Sequence, residues 1–194
     1  MPNQSPQVGQ IERKTQNRIV EVLRDRLGYD YLDNWEDREN NSNIEEEYLR
    51  AFLVKTKKYS DKVIDKAIAE LKKTAGNQVM SLYDLNKEVY GLLRYGVKVK
   101  ESLGLRNQTV ELIDWKNFAN NHFAIAEEVT IKGNRTKRPD IVLYINGIAL
   151  GVIELKRSTV SVSEGIRQNI GNQKNAFIQN FFGTIQLVMA GNDS

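Results

Sequence analysis

Residues 138–158, RPDIVLYINGIALGVIELKRS, constrain the fold of this chain more than any other stretch. Two apolar runs meet at Asn146-Gly147, a dipeptide suited to the left-handed conformations of a tight turn, so the segment is predicted to be a β-hairpin. Its strands are apolar on both faces, which suits the interior of a sheet. Charge is confined to the open end, with Asp140 on one strand and Glu154 and Lys156 on the other.

Whether those three side chains meet is a question of parity. Successive strand residues point to opposite faces, so Glu154 and Lys156 share a face with Leu150 and Val152, and Asp140 shares one with Val142 and Tyr144. A two-residue turn pairs Ile145 with Ile148 and Asp140 with Ile153, which sends Asp140 and Glu154 to opposite faces. A three-residue loop, Ile145-Asn146-Gly147 with Gly147 left-handed, pairs Tyr144 with Ile148 and Asp140 with Val152, diagonal to Glu154. A joint site therefore requires a bulged turn or an equivalent register shift. With that geometry, two carboxylates can share a magnesium ion, with the carbonyl of Leu155 as a further oxygen ligand. Lys156 then orients or helps deprotonate a water attacking a phosphodiester. The competing reading is that these charges merely end two buried strands at the surface.

Composition narrows the chemistry further. The 194 residues include no cysteine and a single histidine, His122. Disulfides, thiolate zinc sites, cysteine nucleophiles and two-histidine metal sites are thereby excluded, and a metal would need oxygen ligands, which favours magnesium or manganese. His122, alone beside Phe123 at a strand start, reads as structural. A formal charge of +3 permits a polyanionic partner without requiring one. No phosphate loop ending in Gly-Lys-Ser/Thr occurs, so no ATP site of that kind is evident. The polar opening MPNQSPQVGQ lacks an apolar leader, and no run reaches membrane-spanning length, which makes the cytoplasm the expected location.

The first half reads helical. Ile11, Ile19, Val22, Leu23 and Leu27 lie roughly on one face over residues 11–27, with Gly28 as the stop. NWEDRENNSN (34–43) reads as a loop ending in the capping pattern Ser42-x-x-Glu45, which opens a helix to about Val54. Ser60 opens a second helix closed by Gly76, and Ser81-x-x-Asp84 a third ending near Gly96. From residue 97 the pattern becomes β-rich: VKVKESL (97–103), TVELIDW (109–115) and FAIAEEVTI (123–131). The basic turn KGNRTKR (132–138) leads into the hairpin, followed by a predicted helix over 161–181 and a last strand, TIQLVMA (184–190). The order of helices, several antiparallel strands, a helix and a strand defines an α+β or mixed α/β fold, with a helical insertion at 43–95 after the first helix and a sheet core over 97–190.

Pro139-Asp140, an apolar spacer and Glu154-Leu155-Lys156 resemble the PD-(D/E)xK nuclease motif of restriction-endonuclease-like folds, which implies a central mixed sheet flanked by helices. The wider text, including ERKTQNRIVEVL, LGYDYL, RENNSNIEEEYLRAFL, LYDLNKEVYGLLRYGVKVK, FAIAEEVTIKG and KRPDIVLYINGIALGVIELKRSTVSVSEGIRQN, resembles the N-terminal region of the restriction (R) subunit of type I restriction-modification enzymes. That resemblance implies a single nuclease domain over 1–194, the N-terminal fragment of a longer subunit. It implies a magnesium-dependent endonuclease (manganese as a substitute) that cuts duplex DNA. ATP is expected only in an absent translocase region, and methyltransferase and specificity subunits are the expected partners.

Carried over by position, Asp140 and Glu154 become metal ligands and Lys156 the catalytic lysine. Many members carry a glutamine and a tyrosine four residues apart on the next helix; Gln168 matches the glutamine, whereas Asn172 stands at the tyrosine position. Related nucleases add a glutamate from the first helix, for which Glu12 is the match and Glu21 stands behind it. Lys132, Arg135, Lys137 and Arg138, just before Asp140, are expected to hold DNA phosphates, or else to form a solvated loop. Two other readings stay open: a catalytically silent DNA-binding or subunit-docking module with a nuclease-like fold, and a docking role for the helices at 43–95.

Overall fold

The computed structural model describes residues 8–57, 59–104, 106–157, 160–174 and 177–192. The first helix, α1 (Val8–Glu21), runs into a π-helical turn over Val22–Arg26 and stops at Gly28, whose φ of +72° suits glycine. The wider turn leaves Leu27 exposed, off the apolar face on which periodicity places it. Next comes β1 (Asp30–Asn34), a strand the sequence pattern does not reveal. DYLDN buries little; parallel pairing with the later strand β4 (Phe123–Glu127) makes it extended.

Helices α2 (Glu46–Lys57), α3 (Asp61–Ala75) and α4 (Leu82–Tyr95) form the expected insertion, which follows β1 rather than α1 directly. Their ends obey local chemistry. Glu45 reaches back to accept the Ser42 amide at 3.0 Å, Ser81 Oγ accepts from the Asp84 amide, and Gly96 ends α4 at φ +77°. Leu49, Leu53, Ile64, Leu71, Val89 and Leu93 form their core.

Segments 97–103 and 109–115 do not join the central sheet, contrary to expectation. Only β2 (Val97–Val99) and β3 (Gln108–Val110) are extended, and they pair with each other as a separate ribbon packed on the helical core. Alternation reports a half-buried strand but not which sheet receives it. Extension ends at Val110, and further on Asp114 Oδ1 accepts the amides of Lys116 and Asn117 at 3.1 and 3.0 Å, curling the chain.

The central sheet has the order β1-β4-β5-β6-β7, with β5 (Ile141–Ile145), β6 (Ile148–Lys156) and β7 (Leu187–Asn192). The outer pairs are parallel and the inner ones antiparallel, so the sheet is mixed. One face packs Ile125, Ile141, Ile153 and Leu155 against Val20 and Leu23 of α1 and its π-helical turn. The other packs Ala124, Ala126, Val142, Tyr144 and Val152 against Trp35, Phe181 and Phe182.

The hairpin keeps its two-residue turn, Ile145 opposite Ile148, with Asn146 and Gly147 both left-handed. The three-residue loop is therefore not formed. The register shift lies inside β6: Tyr144 pairs with Ala149 and Leu143 with Gly151, leaving Leu150 as the extra residue of a bulge. The turn is buried. Asn146 is fully enclosed, and a Cβ on Gly147 would lie 2.5 Å from the Glu45 carbonyl, so only glycine lets the insertion close on the hairpin tip.

The helix predicted over 161–181 is shorter: α5 spans Val162–Asn172. The amide of Ile178 turns back to the Asn172 carbonyl at 3.3 Å, which returns Ile178, Phe181 and Phe182 to the core instead of carrying them away on a straight helix. Among the described residues, no helix is long and apolar enough to cross a membrane.

Candidate active site

Beyond the Leu150 bulge, Ile141 faces Ile153, so the next position outward sets Asp140 opposite Glu154 and turns both to one face. Lys156 follows two residues on, with the same parity. The bulge thus supplies the shift that parity requires.

Each carboxylate has a distinct environment. Asp140 Oδ2 accepts the Leu155 amide at 2.6 Å, while the Asp140 carbonyl accepts the Glu128 amide at 2.9 Å. Glu154 is fully buried; its Oε2 accepts from Gln168 Nε2 of α5 at 2.7 Å, and its Oε1 has no hydrogen-bond partner. Gln168 therefore lies where expected. Four residues further on, Asn172 is buried and has its carbonyl capped by Ile178, so it places no aromatic ring at the site. Gly165 brings α5 close: a Cβ there would lie 3.0 Å from Ala190 Cβ and 3.6 Å from Lys156 Cγ.

Lys156 Nζ stands 3.8 Å from Glu12 Oε1, which brings α1 to the site at the position anticipated for a first-helix glutamate. Glu21 is exposed and nine residues along α1, roughly 13 Å in helical rise, and takes no part. In a strand, a residue's N–H and C=O point to the same side, so the Leu155 carbonyl lies on the strand edge from which its amide reaches Asp140.

Burial is the main reason both acids hold their protons more tightly than exposed carboxylates do. It pushes Asp140 up to about 6, against the opposing pull of the Leu155 amide and Lys156. It pushes Glu154 up to about 8, with the neighbouring Asp140 charge raising it further and Lys156 opposing. An unpartnered carboxylate oxygen between two disfavoured charges fits a hard divalent cation with oxygen ligands, which would neutralise both. Among the described residues, no three Asp, Glu or His side chains gather around one point, so carbonyl and water oxygens would complete such a sphere.

Sequence reasoning missed the groups behind this pair. Glu127 and Glu128, at the end of β4, are both buried. Glu127 accepts from Tyr31 Oη at 2.7 Å and lies 3.7 Å from Arg13. Two consecutive carboxylates ending an apolar strand, FAIAEE, together with Arg13 and Gln16 one turn apart on α1, were the available signal.

The four cations before Asp140 do not form one free cluster. Arg138 Nε binds Glu128 at 2.8 Å and its other end pairs with Glu36. Lys137 Nζ and the Arg135 guanidinium lie over the Phe177 ring at 4.4 and 5.6 Å, and Lys132 is exposed. His122 is held by Asp30 at 2.9 Å and stacks on Tyr48, away from the carboxylate pair.

A mixed five-stranded sheet flanked by helices is compatible with a restriction-endonuclease-like fold. The sequence matches the family described as type I restriction enzyme R protein N terminus over residues 9–194, and the chain belongs to that family. It is 34% identical over 149 residues to the "Putative type I restriction enzyme MjaVIIIP endonuclease subunit" of Methanocaldococcus jannaschii, covering 73% of this chain and 14% of that protein. It is 30% identical over 90 residues to the type I restriction enzyme HindI endonuclease subunit of Haemophilus influenzae, covering 44% of this chain and 8% of that protein. The chain thus spans a small fraction of the length of these relatives.

Proposed function

We propose that this chain is the nuclease domain of a type I restriction enzyme, hydrolysing phosphodiester bonds of duplex DNA with magnesium or manganese at Asp140, Glu154 and the Leu155 carbonyl. The observation that carries this reading is the Leu150 bulge, which sets Asp140 and Glu154 side by side while Glu154 Oε1 has no partner within the protein.

When bound, the cation supplies Lewis-acid activation of a water and of the scissile phosphate. The chain's own residues do the rest. Asp140 and Glu154, as carboxylates, would hold the cation, and the Leu155 amide keeps one Asp140 oxygen fixed. Gln168 holds Glu154 Oε2, so Oε1 is the atom that would meet the cation. Lys156, largely buried and 3.8 Å from Glu12, orients the attacking water and offsets charge on the pentavalent phosphate. Lys132, Arg135 and Lys137 meet DNA phosphates, a sequence-independent contact. ATP-driven translocation, the methyltransferase and specificity subunits, and a cytoplasmic location belong to this reading through the family.

The test is cleavage of plasmid DNA with manganese or magnesium by the enzyme assembled with its partner subunits. Asp140→Ala, Glu154→Ala and Lys156→Ala are each expected to abolish cutting while ATP hydrolysis persists. Parental cleavage in any of the three overturns the assignment. Intact DNA binding with no cutting by the parent points instead to a silent binding module.

A further inference from the structure

Four non-glycine residues among those described have a clearly positive φ: Asp33, Asn40, Asn146 and Glu128. Three are Asp or Asn, whose short side chains tolerate that region. Glu128, at φ +49° and almost fully buried, is the exception, and such a conformation is strained and persists only where its surroundings over-determine it.

The surroundings do so at one place. The consecutive amides of Glu128 and Val129 donate to the carbonyls of Asp140 at 2.9 Å and Pro139 at 3.1 Å. Consecutive amides bonded to consecutive carbonyls turn the chain out of the ladder, and a left-handed residue at such a turn is commonly glycine. Glycine would meet the backbone requirement without strain, so what the glutamate adds is its carboxylate. Oε1 receives Gln16 Nε2 at 3.1 Å and lies 3.6 Å from Arg13; Oε2 binds Arg138 Nε at 2.8 Å. The same Gln16 Nε2 is 3.4 Å from the Asp140 carbonyl. Glu128 therefore grips the lead-in to β5 on both sides of Pro139, by its backbone at Asp140 and by its side chain at Arg138. It ties that lead-in to α1, which also carries Glu12.

We infer that Glu128 is a positioning residue: its strained backbone and its carboxylate together hold Asp140 where Oδ2 meets the Leu155 amide and faces Glu154. The inference rests on the proposed nuclease reading for its purpose, but its geometry can be tested without cleavage. Two variants of the 194-residue chain serve: Glu128→Gly, which relieves the strain and removes the carboxylate, and Glu128→Gln, which keeps the side chain's length and one acceptor oxygen.

Three measurements are read in each. The first is the Leu155 amide proton shift in metal-free protein, which reports the bond to Asp140. The second is manganese affinity by calorimetry, and the third is Tm in EDTA. In Glu128→Gly the Leu155 proton is expected to move upfield and manganese affinity to fall about 10-fold or more. Its Tm should stay near the parent value, because strain relief offsets lost ion pairs. Glu128→Gln should give smaller changes of the same sign. A Leu155 proton unmoved in both variants overturns the inference. So does a fall in Tm with amide shifts spread through the whole sheet, which marks an ordinary packing role. If the parent binds no manganese and Asp140→Ala leaves cutting unchanged, the nuclease reading fails, while the Leu155 proton still decides the role of Glu128.

Discussion

The Leu155 amide and Asp140 Oδ2 are joined by a 2.6 Å hydrogen bond across the open end of the hairpin. Leu155 is the residue between Glu154 and Lys156, so one main-chain donor measures the spacing of all three side chains. The bond uses one Asp140 oxygen, leaving Oδ1 for a ligand. It also opposes the burial that raises the Asp140 pKa.

The carboxylate pair sets the pH dependence of stability. Both folded-state values, about 6 for Asp140 and about 8 for Glu154, lie above those of exposed carboxylates, so the folded protein binds more protons than the unfolded one. The stability this pair contributes is therefore greatest below the unfolded-state values near 4 and is lost as pH rises towards 8. Urea denaturation in EDTA from pH 4.5 to 8.5 should show a decline of a few kcal/mol from this pair, since a tenfold gain in proton affinity on folding is worth about 1.4 kcal/mol. Glu154→Gln should flatten the upper part of the curve, and magnesium at pH 8 should restore much of the loss. A parent curve that rises across this range contradicts the assignment.

Gln168 is the protein donor to Glu154 Oε2. Its replacement by alanine removes the bond that orients the carboxylate, so manganese affinity and cleavage rate are each expected to drop about 10-fold, with Tm barely altered. Gln168→Glu should be worse than Gln168→Ala, since it adds a like charge beside a buried acid. Calorimetry and single-turnover cleavage check the order, and equal affinities for parent and Gln168→Ala would remove Gln168 from the site.

Asn146 is predicted to matter for folding and not for chemistry. Its amide nitrogen reaches the Leu112 carbonyl and Asn121 Oδ1, both at 2.9 Å, and its Oδ1 accepts the His122 amide at 2.8 Å. Asn146→Ala strands buried partners and loses a residue tolerant of φ +51°, costing about 3 kcal/mol. Chemical denaturation should record that loss with cation affinity unchanged.

The basic turn divides by partner. Lys132→Ala with Lys137→Ala should reduce the slope of log affinity for DNA against log salt by about two, as two phosphate contacts disappear. Arg138→Ala, whose guanidinium is already committed to Glu128 and Glu36, should lower Tm and leave that slope unchanged. Binding titrations at several salt concentrations separate the two outcomes.

The features legible in the sequence are those written locally. Ser81 with Asp84, Gly76 and Gly96 mark helix ends through contacts within one turn, and Asn146-Gly147 fixes the hairpin tip. Asp140, Glu154, Lys156, Gln168 and Glu12 are legible as letters and are found together. What stays hidden depends on distant partners. Strand β1 is extended because β4 pairs with it, and no apolar pattern in DYLDN announces that. The β2–β3 ribbon follows the helical core rather than the sheet. Parity requires the bulge, but its placement at Leu150 is not visible in the sequence. It reflects Gly151 fitting beneath Leu143, where a Cβ would come within 2.9 Å of Leu143 Cδ1. Glu128 escapes notice because a buried, left-handed glutamate has no signature in composition or period.

On the proposed nuclease reading, the Leu150 bulge has a consequence for how such chains lose activity. A single-codon insertion between Val152 and Ile153 would leave Asp140, Glu154, Lys156 and Gln168 all present, in order, and almost equally spaced. Yet with the ladder running unbroken beyond the bulge, the added residue would turn Glu154 and Lys156 to the opposite side of the sheet, beneath α1 and away from Gln168. Inactivation of that kind is invisible to any inventory of catalytic letters. It becomes visible only when residues are counted strand against strand.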